Sequence, residues 1–253
     1  MISVKDLTKK YEGFTALNNI SFEINKGEIC GYIGTNGAGK STTVKILSGI
    51  LGFDKGTVLI NDTDVSKDPV YVKSITGYVP ESADLFNSLS PVEFFNFAGK
   101  VRDMCDELIS KRINSFAELF GYTDLLNDSI GNLSKGNKQK VLITSALMHD
   151  PPVIFLDEPL NGLDTNSIFI FHDLIKFLAS KGRTILYCSH HLNIIEKIST
   201  KIVLINKGNI DLDIKTSELK TLDNFSDLEK LFRDINAEES QESKKFNFED
   251  LFN

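Results

Sequence analysis

The run Gly34-Thr35-Asn36-Gly37-Ala38-Gly39-Lys40-Ser41-Thr42 fits the pattern G-x-x-x-x-G-K-[ST], and its residue types suit the wrapping of nucleotide phosphates. Phosphate oxygens need many converging N–H donors, and glycine lets the backbone turn inward where a Cβ would clash. In such a loop Lys40 reaches the β- and γ-phosphates and the Ser41 hydroxyl holds Mg2+. A second set of reactive residues stands far along the chain, where the apolar run Val153-Ile154-Phe155-Leu156 ends in Asp157-Glu158-Pro159. Asp157, a carboxylate at the end of that strand, is positioned to complete a Mg2+ shell. Glu158 is then placed to orient and deprotonate a water.

These groups need elements to bring them together. Residues 28–33 are apolar enough for a buried strand entering the loop, and residues 42–48 have the apolar spacing of a helix leaving it, whose N-terminus favours an anion. Strands are also predicted at 20–24, 56–62 and 74–80, the last closed by Pro80, which cannot extend a ladder. From about Asp84 to Asp150 the pattern turns helical. Val92, Phe95, Phe97 and Ala98 favour one face, and Ile109, Ile113, Phe116, Leu119 and Phe120 continue at spacings of three and four. Pro151-Pro152 ends that region. A strand at 153–156, a helix from Thr165 to about Ala179 closed by Gly182, a strand at 184–188 and a strand pair around Lys207-Gly208 follow. The order implies an α/β fold with a mostly parallel sheet core and an inserted α-helical subdomain; with its phosphate loop the core resembles the P-loop NTPases of the RecA-like kind.

Composition narrows the function classes. With 253 residues and 41% hydrophobic content the chain can build one large α/β domain with an insertion. No apolar run reaches the ~18 residues that span a bilayer, and no secretory signal opens the sequence. Cys30, Cys105 and Cys188 have neither metal nor redox spacing, as expected of a cytoplasmic protein. From Asp211 onward 12 acidic and 6 basic residues account for −6 of the formal charge of −7. A nearly neutral body with an acidic tail argues against a nucleic-acid groove or direct binding to anionic lipid, so any membrane contact would run through a separate protein.

The segment Leu133-Ser134-Lys135-Gly136-Asn137, just ahead of the acidic strand, is by itself a plausible helix start with Ser134 as cap. Placed there, it makes residues 1–215 resemble the ATP-binding cassette (ABC) ATPases, whose signature sequence occupies that position on the helical subdomain. The other family elements fall in order. Tyr11 matches the aromatic that stacks on adenine, and Glu81 the loop position near Mg2+ that usually carries glutamine. Asn161-Gly162-Leu163-Asp164 matches the segment that crosses the dimer, and Ser189-His190 the switch histidine, so that His190 is preferred over His191. Lys135 and Asn137 depart from the commonest signature, which has glycine and glutamine there. The Leu-Ser-Lys-Gly form and Glu81 look like the bacterial exporter branch associated with antibiotics and lantibiotics.

The resemblance implies an ATPase that binds ATP and Mg2+ through Tyr11, the phosphate loop, Ser41, Glu81 and Asp157. Ser134 and Gly136 of a second subunit close over the γ-phosphate in a homodimer or a paired ATPase subunit. A separately encoded transmembrane permease would hold the chain to the inner face of the cell membrane. An ATP-gated regulator or scaffold that moves no substrate is the alternative. Residues 216–253 form an acidic extension in which Ser226-Asp227-Leu228-Glu229 is a capping box, with Leu228, Leu231, Phe232 and Ile235 on one face of a short docked helix. Beyond Asn236 a polar run leads to an apolar end at 246–252.

Overall fold

The computed structural model describes residues 1–82, 85–219, 221 and 227–232. The chain enters through a long hairpin, β1 (Ile2–Tyr11) and β2 (Phe14–Ile24), and then passes through β3 (Ile29–Ile33) into α1 (Lys40–Leu47). It continues with β4 (Lys55–Ile60), β5 (Thr63–Asp64), α2 (Pro69–Ile75) and β6 (Thr76–Val79). Three helices follow, α3 (Pro91–Lys100), α4 (Asp106–Phe120) and α5 (Lys135–Leu147), with two short 3-10 turns between the last two. The order then alternates: β7 (Val153–Asp157), α6 (Thr165–Ser180), β8 (Thr184–Cys188), α7 (Leu192–Ile198), β9 (Lys201–Asn206), β10 (Asn209–Lys215) and α8 (Thr216–Leu219). A helical turn over 228–232, here the tail helix, completes the described chain.

Two sheets result. β2-β1-β4-β5 is antiparallel, whereas β10-β9-β3-β8-β7-β6 is parallel except for β10. Every residue of β3, β7 and β8 is buried, because this sheet is covered on both faces. Alternate residues serve opposite layers. Cys30 and Tyr32 join the core shared with α1 and the antiparallel sheet, while Ile29 and Ile33 join the core beneath the helices that follow. The carboxyl ends of β3, β7 and β8 therefore lie side by side at the centre of the sheet, where open α/β folds place ligands.

The fold is the α/β P-loop NTPase arrangement, with α3 to α5 inserted between β6 and β7. Several local expectations need correction. Residues Ser74 and Ile75 close α2 rather than opening a strand, because Asp68 caps that helix, accepting from the Tyr71 amide at 2.9 Å, and Pro69 starts it. β6 begins only at Thr76. Phe97 and Leu119 face outward at 56% and 41% exposure, although Phe95, Ile113, Phe116 and Phe120 on the same helices are buried. α3 opens with a complete capping box between Ser90 and Glu93, which fixes where its inward face begins.

The tail helix starts one residue later than the capping-box reading of the sequence. Asp227 accepts from the Lys230 amide at 2.7 Å, and Leu228 is fully buried in the main core. Ser226, Ile235, the polar run and the apolar end lie outside the described residues.

Candidate functional site

The phosphate loop spans the gap between β3 and α1. A Cβ on Gly39 would press on the Leu17 side chain and the Ala16 carbonyl, and its φ of 114° lies in the left-handed region. Gly39 also supplies no side chain to cap α1, which leaves the first-turn amides of that helix free to receive an anion. Lys40 is 8% exposed. Its ammonium donates to the carbonyls of Gly34 at 2.8 Å and Thr35 at 3.0 Å, so the cation is held inside the loop by the loop's own backbone.

The ends of β7 and β8 bring up the acidic groups. Asp157 is 2% exposed, and burial, with Glu81 and Glu158 nearby, pushes its carboxyl above the usual range, while the Ser41 hydrogen bond pulls the other way. A buried carboxylate so surrounded favours a bound cation. Among the described residues no three His, Cys, Asp or Glu side chains converge as a ready-made metal site. The Ser41 hydroxyl and the Asp157 carboxylate suit Mg2+, which is typically held by one or two carboxylates with phosphate oxygens and waters completing its shell. Ser41 and Asp157 would hold it, with Glu81 at the same cavity.

Glu158 is held on both oxygens. His190 Nδ1 is 2.9 Å from Oε1, and the buried Ser189 hydroxyl donates to Oε2 at 3.2 Å. The backbone of Glu158 sits at φ 48°, and its amide donates to the Cys188 carbonyl at 3.0 Å. A non-glycine residue in that conformation persists only when its surroundings over-determine it, and such residues gather at functional sites. A carboxylate fixed in this way can orient a water and take its proton.

One cavity of about 470 Å3 is lined by Asn36, Gly37, Gly39, Lys40, Ser41, Thr42, Glu81, Asp157, Glu158 and His190, together with Phe14 and Ala16. Gly34 and Ala38 shape the loop from behind, the former closely packed on Ile205 and the latter buried. Tyr11 lies beside the cavity rather than in its wall, stacked on Phe14 with ring centroids 5.3 Å apart and the planes at 22°. Phe14 escaped the sequence analysis because one aromatic was sought there; the signal was a second aromatic across the Glu12-Gly13 turn.

Ser134, Gly136 and Asp164 stand apart from this cavity. Ser134 is exposed and caps α5, accepting from the Asn137 amide at 3.2 Å. Asp164 caps α6. Ser167, through its hydroxyl and its amide, and then Lys140 at 3.2 Å hold the Asp164 carboxyl well below the usual range. The sequence analysis missed a set of contacts tying α5 to the loop after β7: Gln139 donates to the Pro159 carbonyl at 2.9 Å, Lys140 pairs with Asp164, and Gly136 packs on the Gly162 backbone.

Comparison with known proteins gives a consistent set. The family model described as ABC transporter matches residues 17–161. An uncharacterized ABC transporter ATP-binding protein of Methanocaldococcus jannaschii is 34% identical over 230 residues, covering 88% of this chain and 83% of that protein. The linearmycin resistance ATP-binding protein LnrL of Bacillus subtilis is 32% identical, covering 83% and 68%. Among solved structures, an ATP-binding subunit of an ABC transporter superposes with a TM-score of 0.88 at 27% identity, covering 93% of this chain and 99% of that one. A dimeric ABC transporter cassette does so with 0.80 at 25% identity, covering 85% and 99%.

Proposed function

The chain belongs to the ABC transporter family as an ATP-binding subunit with ATPase activity, and from that premise we propose that its cavity binds Mg-ATP and that hydrolysis there drives a separately encoded permease. The observation that carries this reading is convergence: Lys40, Ser41, Asp157, Glu158 and His190, from three separate strand ends, line one cavity. Lys40 turns from the loop carbonyls to the β- and γ-phosphates, the α1 amides receive the phosphate charge, and Phe14 with Tyr11 offers an aromatic surface for the base. When bound, Mg2+ neutralises phosphate charge in the transition state. Glu158 takes the proton of the attacking water, and His190 holds that carboxylate in place.

Ser134 and Gly136, at the N-terminus of α5, lie outside the cavity, which supports a pair of subunits, each closing over the other's ATP with that helix start. The proposed domains are 1–215, with the helical subdomain at about 84–150, and an extension over 216–253. Past Glu81 the rings of Phe86, Phe94 and Phe97 cluster at 6.3 Å, with Phe86 and Phe97 more than half exposed. That apolar patch suits a cytoplasmic helix of the permease, giving membrane contact through the permease alone. Among the described residues no helix is long and apolar enough to cross a membrane. The Leu-Ser-Lys-Gly signature, Glu81 and the likeness to the linearmycin resistance protein support export of an antibiotic-type compound as the task of that permease.

The test is Ser134→Arg. It should leave ATP binding to the subunit intact and block ATP-driven pairing in size-exclusion chromatography. Normal pairing and hydrolysis would refute the two-subunit site. Co-purification of a polytopic protein from detergent-solubilised membranes tests the permease; its absence favours a regulatory or scaffold role.

A further inference from the structure

His190 lies two residues ahead of α7, in the segment that leads into it, where the Leu192 amide donates to the His190 carbonyl at 3.1 Å and the His191 amide donates to Ser189 Oγ at 3.1 Å. The direction of the imidazole therefore follows the placement of α7. On its inner side that helix is set very close to β3: a Cβ on Gly31 would overlap the Ile195 side chain and Ser199 Oγ. On its outer side α7 carries Asn193 and Glu196, and both are taken up by the tail helix. Asn193 Nδ2 donates to Glu229 Oε1 at 2.9 Å, and Glu196 Oε2 accepts the Leu228 amide at 3.0 Å. Leu228 is fully buried in the same core cluster as Leu192, Ile195 and Ile198.

The helix that directly follows His190 is thus clamped between β3 and the tail helix. The clamp couples two loosely constrained parts of the site. α7 is only seven residues long, too short to be stable without tertiary contacts. His190 is 58% exposed, so no packing around the ring itself fixes it beyond Glu158 and the neighbouring His191. We propose that residues 227–232 are a positioning element for His190, acting through Asn193 and Glu196 of α7 to hold the imidazole on Glu158. This rests on the reading of the cavity as a site of ATP hydrolysis for its kinetic consequence, but not for its structural one.

The experiment compares the full chain with Asn193→Ala/Glu196→Ala, a surface pair, and with Leu228→Ser, with Leu228→Met as the conservative control. Imidazole NMR signals of the nucleotide-free protein are the first readout. Both disruptive variants should shift or broaden His190 while leaving His149 and His172 in place, and Leu228→Met should restore the native signals. The second readout is kinetic: kcat should fall by about 10-fold, inside the ~10²-fold that a misplaced group can cost, with ATP affinity unchanged. Unmoved His190 signals in the folded double variant would overturn the proposal, as would a loss of ATP affinity equal to the loss of kcat. If the native chain hydrolyses no ATP, the proposed function fails while the His190 signals still decide the role of the tail helix.

Discussion

Glu158 and Asp157 are adjacent carboxylates with opposite surroundings, and each predicts a different outcome when its charge is removed. Glu158 is buried but satisfied by Ser189 and His190. Glu158→Gln keeps the size and removes the ability to accept a proton, so ATP binding should persist while hydrolysis slows by about 10²–10⁴-fold; single-turnover assays on nucleotide-saturated protein measure this. Asp157 has its folded pKa raised, chiefly by burial. The folded state therefore holds its proton more tightly than the unfolded state, and at neutral pH the ionised side chain costs stability. Asp157→Asn should accordingly raise the thermal midpoint while weakening Mg2+-dependent ATP binding. A lowered midpoint would mean that the carboxylate is better solvated than its burial indicates. Sites that bury charge for function commonly trade stability for it, so the two opposite effects are expected together.

Among the elements, α5 is tied to the loop after β7 because Gly136, Gln139 and Lys140 all engage that loop. Gly136→Ala gains helix propensity of at most about 1 kcal/mol, but its methyl group meets the Gly162 carbonyl, a backbone atom that cannot swing aside. Overpacking of this kind costs about 1–3 kcal/mol. The expected result is a net loss in denaturant stability, with altered amide exchange at 161–164. Much of this architecture was legible beforehand: the loop and its flanking elements, the acidic strand and the order of later strands all follow from apolar runs and glycine positions. What was not legible depended on contacts between distant segments. Phe97 and Leu119 have the same apolar character as their buried neighbours, and only the placement of α3 and α4 leaves them outside. Residues 69–75 are too short for periodicity to show, and their helix is announced only by Asp68-Pro69. Phe14, Ser189 and the Lys140–Asp164 pair are unremarkable in sequence and acquire meaning when β2, β8 and α5 converge.

For the molecule as a whole, acid sensitivity should be concentrated at the seam between β6 and the start of β7. His149 donates from Nε2 to the Thr76 carbonyl at 3.2 Å, and its Nδ1 is buried without a partner. Burial first, and then the Arg102 guanidinium, lower its pKa to about 4. The unfolded chain binds this proton near pH 6.5 and the folded chain does not, so the stabilisation is complete above 6.5 and is lost as pH falls towards 4. The loss is on the order of 3 kcal/mol at the lower end, partly offset by Asp157, whose protonation in the same direction relieves a buried charge. Urea midpoints across this window should fall with acid in the native protein and change less in His149→Gln, with the slope of the transition unaltered. The aromatic cluster of Phe86, Phe94 and Phe97 has a consequence of another sort, for handling rather than for catalysis. A preparation of the lone subunit brings these greasy faces together as it is concentrated, so light scattering should climb with protein concentration and fall on adding mild detergent, with ATP affinity untouched. If the proposed permease covers this patch in the cell, surplus copies of the subunit made without it should be the first to precipitate.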